Sequence, residues 1–261
     1  MGTNVRFLGT NQLDGSNTSY SFTSASATLS TYLYDYDFNT KLTSSGSDDV
    51  TPEVYTASFT STITIGRIFV ANHNIKSGNL QYSDDNQSSW KDFSTAISWS
   101  ANTDTYNFYE FNEVSGITDL RLTMNTTISA NAEKYVGQLI ASSEIGELAA
   151  NPNGLEFEYA ENSRIHPTSK GGATYVQFGQ KAHMTLSFTD ASDADVTILR
   201  TLKQRRNPFW VYLNGNDTTK TQEPFRTQDM WLVNYINPYR PNIKNNVVGI
   251  GTMIDVELMG V

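Results

Sequence analysis

The stretch Ile63–Phe93, ITIGRIFVANHNIKSGNLQYSDDNQSSWKDF, decides how the chain is read. Its first part, ITIGRIFVANH, closes a long strand-like run that begins at Ala57. After it, LQYS (80–83) reads as a strand, Asp84–Ser89 as a polar turn, and Trp90–Phe93 as the start of the next strand. Short polar side chains favour turns because they bond their own backbone. Two readings of Asp84, Asp85 and Trp90 are open: a ligand site at a loop tip, or the ordinary corner of a β-sandwich.

Outward from this stretch most of the chain reads as strand. TYLYDYDF (31–38) places Tyr32, Tyr34, Tyr36 and Phe38 on one face and Leu33, Asp35 and Asp37 on the other, the period of two of a half-buried strand. TYNFYEF (105–111), DLRLTMN (119–125) and KYVGQLIAS (134–142) follow, each bounded by Gly, Asn, Asp or Ser, which points to an antiparallel sandwich. GELAANPNG (146–154), with two glycines and Asn-Pro, marks a boundary. Beyond it FEYAENSRIHPTSKGGATYVQFG (157–179) reads as two strands joined by a long polar loop.

One helix is predicted at about 193–206. Ser192 with Asp195 forms a variant capping box, Asp193 and Asp195 suit the first turn, Lys203, Arg205 and Arg206 suit the last, and Pro208 ends it. Val196, Leu199 and Leu202 would lay one face on a sheet, while PFWVYL (208–213) resumes as strand.

Composition narrows the chemistry. Aromatic residues at 12%, against a hydrophobic fraction of only 38%, favour thin sandwiches over a thick α/β core. There is no cysteine, so neither disulfides nor thiolate metal sites are available. No run approaches the roughly 18 apolar residues of a membrane span, and a soluble chain is expected. Residues 1–145 carry 7 basic and 15 acidic side chains, a net of −8, and residues 146–261 carry 11 and 12, a net of −1. That balance argues against nucleic acid as a partner.

His73, His166 and His183 are scattered without a metal-ligand spacing, and Asp84-Asp85-Asn86 lacks the glycine and glutamate of a calcium loop. Neither a metal nor a cofactor is expected. Asp35/Asp37 and Glu156/Glu158 are the carboxylate pairs that a glycosidase could use, but strand alternation puts both members of each on one solvated face. No catalytic residue is assigned. Trp210 and Trp231 lie inside apolar strands and read as core, whereas Trp90 follows the polar turn.

Ile63–Phe93, followed by YNFYEFNEVSGITDLRLTMNTT (106–127) and EKYVGQLIA (133–141), resembles the discoidin, or coagulation factor 5/8 type C, jelly-roll as it occurs in phage tail proteins. The parallels are a strand ending in NHN, the QYSDD hairpin leading to Trp90, the Tyr109 to Leu122 strand pair and the closing YVGQL. In that fold the Asp-Asp turn is a hairpin tip and Trp90 begins the next strand. LSFTDASDADVTILRTLKQRRNPFWVYLN (186–214) resembles the strand, helix and strand of tail-tube or distal-tail modules.

The resemblance implies a mainly β chain: a discoidin-like jelly-roll sandwich over 1–145, a linker at 146–154, and a tail-tube-like β-sandwich carrying one helix over 155–261. It implies a virion structural protein of a tailed phage, a minor tail or tail-tip component assembled in the host cytoplasm. No enzymatic activity is expected. Its partners would be copies of itself in a ring of sixfold or threefold symmetry, neighbouring tail proteins, and a host surface glycan. The alternative from another class is a carbohydrate-binding module, supported by the discoidin-like half and the Trp and Tyr content. A polysaccharide-degrading enzyme has only the carboxylate pairs in its favour.

A glycan, if bound, is placed at the loop edge of Asp84, Asp85 and Trp90. Ring contacts are placed on loops of the second half: Arg164 and His166 in ENSRIHPTSKGG (161–172), Arg226 in NGNDTTKTQEPFRTQ (214–228), and Tyr239 and Arg240 in NPYRPN (237–242). Loops of this length tend to serve a function, and Arg and Tyr are favoured in interfaces.

Overall fold

The computed structural model describes residues 5–9, 11–13, 18–23, 31–35, 40–46, 48–94, 96–149, 154–167, 173–205, 209–212, 230–236, 242–246 and 249–260. The fold is mainly β, with one helix among the described residues. The backbone divides into two compact units: residues 8–144 form one, and residues 5–7 join the described residues from 145 onward in the other. The N-terminal strand belongs to the second unit. The expected 146–154 linker is strand at its start, since Gly146 lies in Glu144–Glu147 and Leu148 is fully buried.

The sheet of the first unit contains β2 (Thr18–Phe22), β3 (Leu42–Thr43), β4 (Glu53–His73), β5 (Ile75–Ser83), β6 (Ile97–Trp99), β7 (Tyr106–Thr127) and β8 (Tyr135–Ser142). Its order is β3-β8-β4-β7-β5-β6, with β2 also paired to β4. The long strands β4 and β7 lie antiparallel, and their register breaks repeatedly between Ser58 and Arg67. At those breaks the inward parity of β4 changes: Tyr55, Ala57 and Ile65 face the core on one side, Ile68 and Val70 on the other. β2 pairs only with the first half of β4, and β8 only with the second. The two halves therefore enclose one core, joining Leu80, Ile97, Leu120 and Leu122 to Val136, Leu139 and Ala141. Gly116, at φ +78 inside the irregular part of β7, takes a backbone conformation that few side chains tolerate.

TYLYDYDF departs from its expected strand. Thr31–Leu33 is a 3₁₀ turn, and Leu33 rather than Tyr32 or Tyr34 is fully buried, while residues 36–38 lie outside the described residues. The cause is local: Gln138 Nε2 donates to Tyr32 O at 2.8 Å and to Asp35 Oδ1 at 2.7 Å, while Thr40 Oγ1 donates to Asp35 Oδ2 at 2.6 Å. These bonds close the segment into a turn. Asp35 is therefore not half of an outward strand pair.

The second unit contains β1 (Arg6–Leu8), β9 (Glu144–Glu147), β10 (Gly154–Pro167), β11 (Ala173–Ala191), α1 (Asp193–Gln204), β12 (Phe209–Tyr212), β13 (Met230–Tyr235), β14 (Asn242–Asn246) and β15 (Gly249–Gly260). The order is β10-β11-β15-β13-β12-β1-β9, with β14 on β15. Alternate residues Met184, Leu186 and Phe188 meet Phe7, Phe209, Val211, Val233 and Val256, and α1 covers them with Leu199 and Leu202. Its capping box forms as the sequence predicts, and the buried Asp195 also accepts from Ala149 N at 2.7 Å. Trp210 is buried, as read from its strand. Among the described residues no helix is long and apolar enough to cross a membrane.

The polar loop expected at 161–172 is largely strand. β10 runs to Pro167 and β11 starts at Ala173, with pairs from Ser163↔Gln177 to Pro167↔Ala173. The polar composition disguised this ladder. Arg164 sits opposite Val176 and His166 opposite Thr174. Arg226, Tyr239 and Arg240, with the 214–228 segment, lie outside the described residues.

Candidate functional site

On the outward face of the first unit, opposite its core, Thr56, Arg121 and Gln81 stand in one cross-strand row of β4, β7 and β5. The next row is Ser58, Asp119 and Ser83. Alternation explains both rows, since Tyr55, Ala57, Leu120, Leu122 and Leu80 all point into the core.

The turn after β5 folds back over this face. Asp85 braces it: Oδ1 accepts from Ser83 Oγ at 2.7 Å and Ser89 N at 2.9 Å, and Oδ2 accepts from Ser89 Oγ at 2.5 Å. Hydrogen bonds from the Ser89 hydroxyl first, then from Ser83, hold its carboxyl down at about 2. Asn86 and Gln87 take positive φ values of 55° and 68°. Gln87 Nε2 then reaches Asp119 Oδ1 at 2.8 Å, and Ser58 Oγ donates to the same oxygen at 2.5 Å. Asp85 is thus a structural brace.

Asp84 is exposed and accepts from Lys91 Nζ at 2.6 and 2.8 Å. That bond is the main reason the lysine's pKa is raised. A pair this exposed is screened by solvent and adds little to stability. Lys91 also makes an isolated bridge to Tyr82, so the chain returns antiparallel to the end of β5.

Trp90 is half-buried, and the Arg121 guanidinium lies over its ring at 4.2 Å from the centroid. Arg121 Nη2 donates to Gln81 Oε1 at 2.6 Å, and Gln81 Nε2 donates to Asp92 Oδ1 at 2.9 Å. Partial burial lowers the Arg121 pKa. An aromatic ring, a cation and several hydrogen-bonding groups therefore share one rigid patch. The structure brings together Trp90 and the Asp84–Asp85 turn, as the sequence placed them. Trp90 does not open a strand as expected; it precedes the Lys91 bridge.

The sequence reading missed Arg121, Gln81 and Lys91. Alternation in DLRL does put Arg121 outward, but its meeting with Trp90 depends on the β5–β7 register.

Two other polar clusters are internal. His73 is fully buried, with Nδ1 accepting from Ile75 N at 3.1 Å, so Nε2 carries the proton and donates to Asn107 Oδ1 at 2.7 Å. Trp99 Nε1 donates to the same oxygen at 3.0 Å. Lys134, also buried, donates through Nζ to the carbonyls of Asp48 and Thr51. Among the described residues no group of three or more His, Asp or Glu is arranged to hold a metal.

No family model matches the chain, and no curated protein matches it. Solved structures similar to it include a selenomethionine-labelled variant of chitosan-binding module 1 from a chitosanase/glucanase of Paenibacillus sp. IK-5, at 13% identity and TM-score 0.42, covering 52% of this chain and 100% of that one. Another is the Clostridium perfringens module CpGH89CBM32-5 in complex with GalNAc-β-1,3-galactose, at 15% identity and TM-score 0.38, covering 49% and 96%. A third is CBM32-3 from a family 31 glycoside hydrolase of Clostridium perfringens, at 18% identity and TM-score 0.39, covering 49% and 92%.

Proposed function

We propose that the unit of residues 8–144 is a carbohydrate-binding module whose ligand site is the face around Trp90. The observation that carries this reading is the Trp90 ring, half-buried and held in place by Arg121 at 4.2 Å, beside donors and acceptors on Gln81, Lys91, Asp84 and Asp92. Sugars present apolar C–H faces and equatorial hydroxyls, which require an aromatic surface and fixed polar groups together. The Asp85 brace fixes the turn, so little ordering entropy would be lost there on binding.

The test is an array of neutral and acidic oligosaccharides probed with the wild-type chain and with Trp90→Ala. Wild type should retain at least one glycan class and Trp90→Ala should lose it, by tenfold or more, with its fold intact. Retention of the same glycans by the variant would remove Trp90 from the site.

A second reading, a structural component of a phage tail, draws on the second unit. There β10 and β11 run on as a ribbon, from Ala160↔Lys181 to Pro167↔Ala173, past the last pair of β11 with β15 at His183↔Met259. Two strands alone are marginal in water, and among the described residues nothing else pairs with this ribbon, so a neighbouring copy would supply a partner. The two readings are compatible, because a tail-tip protein that reaches host glycans would need such a module. The chain should then form a closed ring in solution, and native mass spectrometry showing only monomer at micromolar concentration would count against the ring.

A further inference from the structure

We infer that the Trp90–Arg121 face selects sugars bearing a carboxylate, uronic or sialic acid residues, over neutral sugars. This rests on the carbohydrate-binding reading and narrows its ligand class.

A guanidinium offers five N–H donors. Here Nη2 reaches Gln81 Oε1, Nε is shielded from solvent with no acceptor, and no carboxylate pairs with the group among the described residues. Arg67, by comparison, is buried and paired with Glu110 at 3.1 Å. Arg121 is thus a partly desolvated cation without a counter-ion, in a half of the chain with a net charge of −8.

The nearby carboxylates are engaged elsewhere. Asp84 binds Lys91, Asp85 binds Ser83 and Ser89, Asp92 binds Gln81, and Asp119 binds Ser58 and Gln87. None of them is hydrogen-bonded to the guanidinium. A planar carboxylate matches the fork of an arginine and would supply the missing acceptors. With the ring of the same sugar against the exposed part of Trp90, the acid group would meet Arg121 edge-on. Gln81 fixes the guanidinium in its plane beforehand.

The experiment is calorimetric titration of the intact chain with trigalacturonate and its methyl ester, and with sialyllactose and lactose. The first pair reads uronate, the second sialate. At least one acid should bind tenfold or more tightly than its neutral counterpart. Arg121→Gln should abolish that difference, and Arg121→Lys should retain part of it. Urea midpoints of both variants would confirm that they fold. Equal binding of acid and neutral forms, or an acid preference that survives Arg121→Gln, would overturn the inference while leaving a Trp90-dependent module standing. Failure of the folded wild type to bind any sugar on the array or in the titrations would overturn both.

Discussion

Lowering the pH from 7 to 4 should cost the β-sandwich unit on the order of 3 kcal/mol through His73 alone. Burial holds this imidazole neutral and lowers its pKa from 6.5 to about 4. At about 1.4 kcal/mol per pKa unit, the difference between those values gives the stated loss. Below 6.5 the unfolded chain takes up a proton that the folded chain refuses until about 4. Stability is therefore complete above 6.5 and falls as the pH drops through that window. Burial is the main cause, and one hydrogen bond acts in the same direction: Nδ1 accepts from Ile75 N, which a protonated ring cannot do. The lowered carboxyls of Asp48, Asp49 and Asp85 lose their contribution only as the pH falls below their ordinary 3.8, so the window isolates the histidine. Hydrogen exchange of the Trp99 indole N–H, which shares Asn107 with His73, would report the loss. In His73→Gln the baseline stability should fall, because Ile75 N loses its acceptor, but the slope between pH 6.5 and 4 should flatten. An unchanged slope would assign the acid sensitivity elsewhere.

The second large effect is expected at Lys134. Replacing it with Met, similar in length and apolar, should destabilise the unit by about 2–4 kcal/mol. Its ammonium is the donor for the carbonyls of Asp48 and Thr51, and its backbone N–H donates to Ser44 Oγ at 2.9 Å. The loop at 44–51 is also tied down by Asp49, which accepts from Thr127 N at 2.9 Å and Asn131 N at 3.0 Å. Met preserves the packing and removes only the donor, leaving the carbonyls of Asp48 and Thr51 without their shared partner. The loop should then open locally, visible as faster exchange of the Thr127 and Asn131 amides. A Met variant as stable as wild type would mean that water reaches those carbonyls.

The strands were legible wherever local pattern and tertiary packing agree. LRL alternates and packs as it alternates, and Ser192 with Asp195 forms its box because both members lie within one turn. Long β4 is different. Its inward parity changes where the ladder with β7 slips, and slippage is a property of two strands together. TYLYDYDF alternates well as a string, yet Gln138, more than a hundred residues away, ties it into a turn. β1 could not be assigned from RFL alone, because three residues match many sheet edges and only the completed second sheet offers one. At the candidate site, Asp84, Asp85 and Trp90 were visible as a polar turn with an aromatic residue. Arg121, which gives the patch its charge, was hidden by register.

The central claim is that Trp90 meets a sugar, and NMR of the four tryptophan indole N–H signals reads it most directly. On titration with trigalacturonate, sialyllactose and chitotetraose, at least one sugar should move the Trp90 signal saturably. The buried Trp99 and Trp210 signals should stay in place. A sugar that binds while Trp90 stays unmoved, or a Trp90 signal indifferent to all three, would contradict the account.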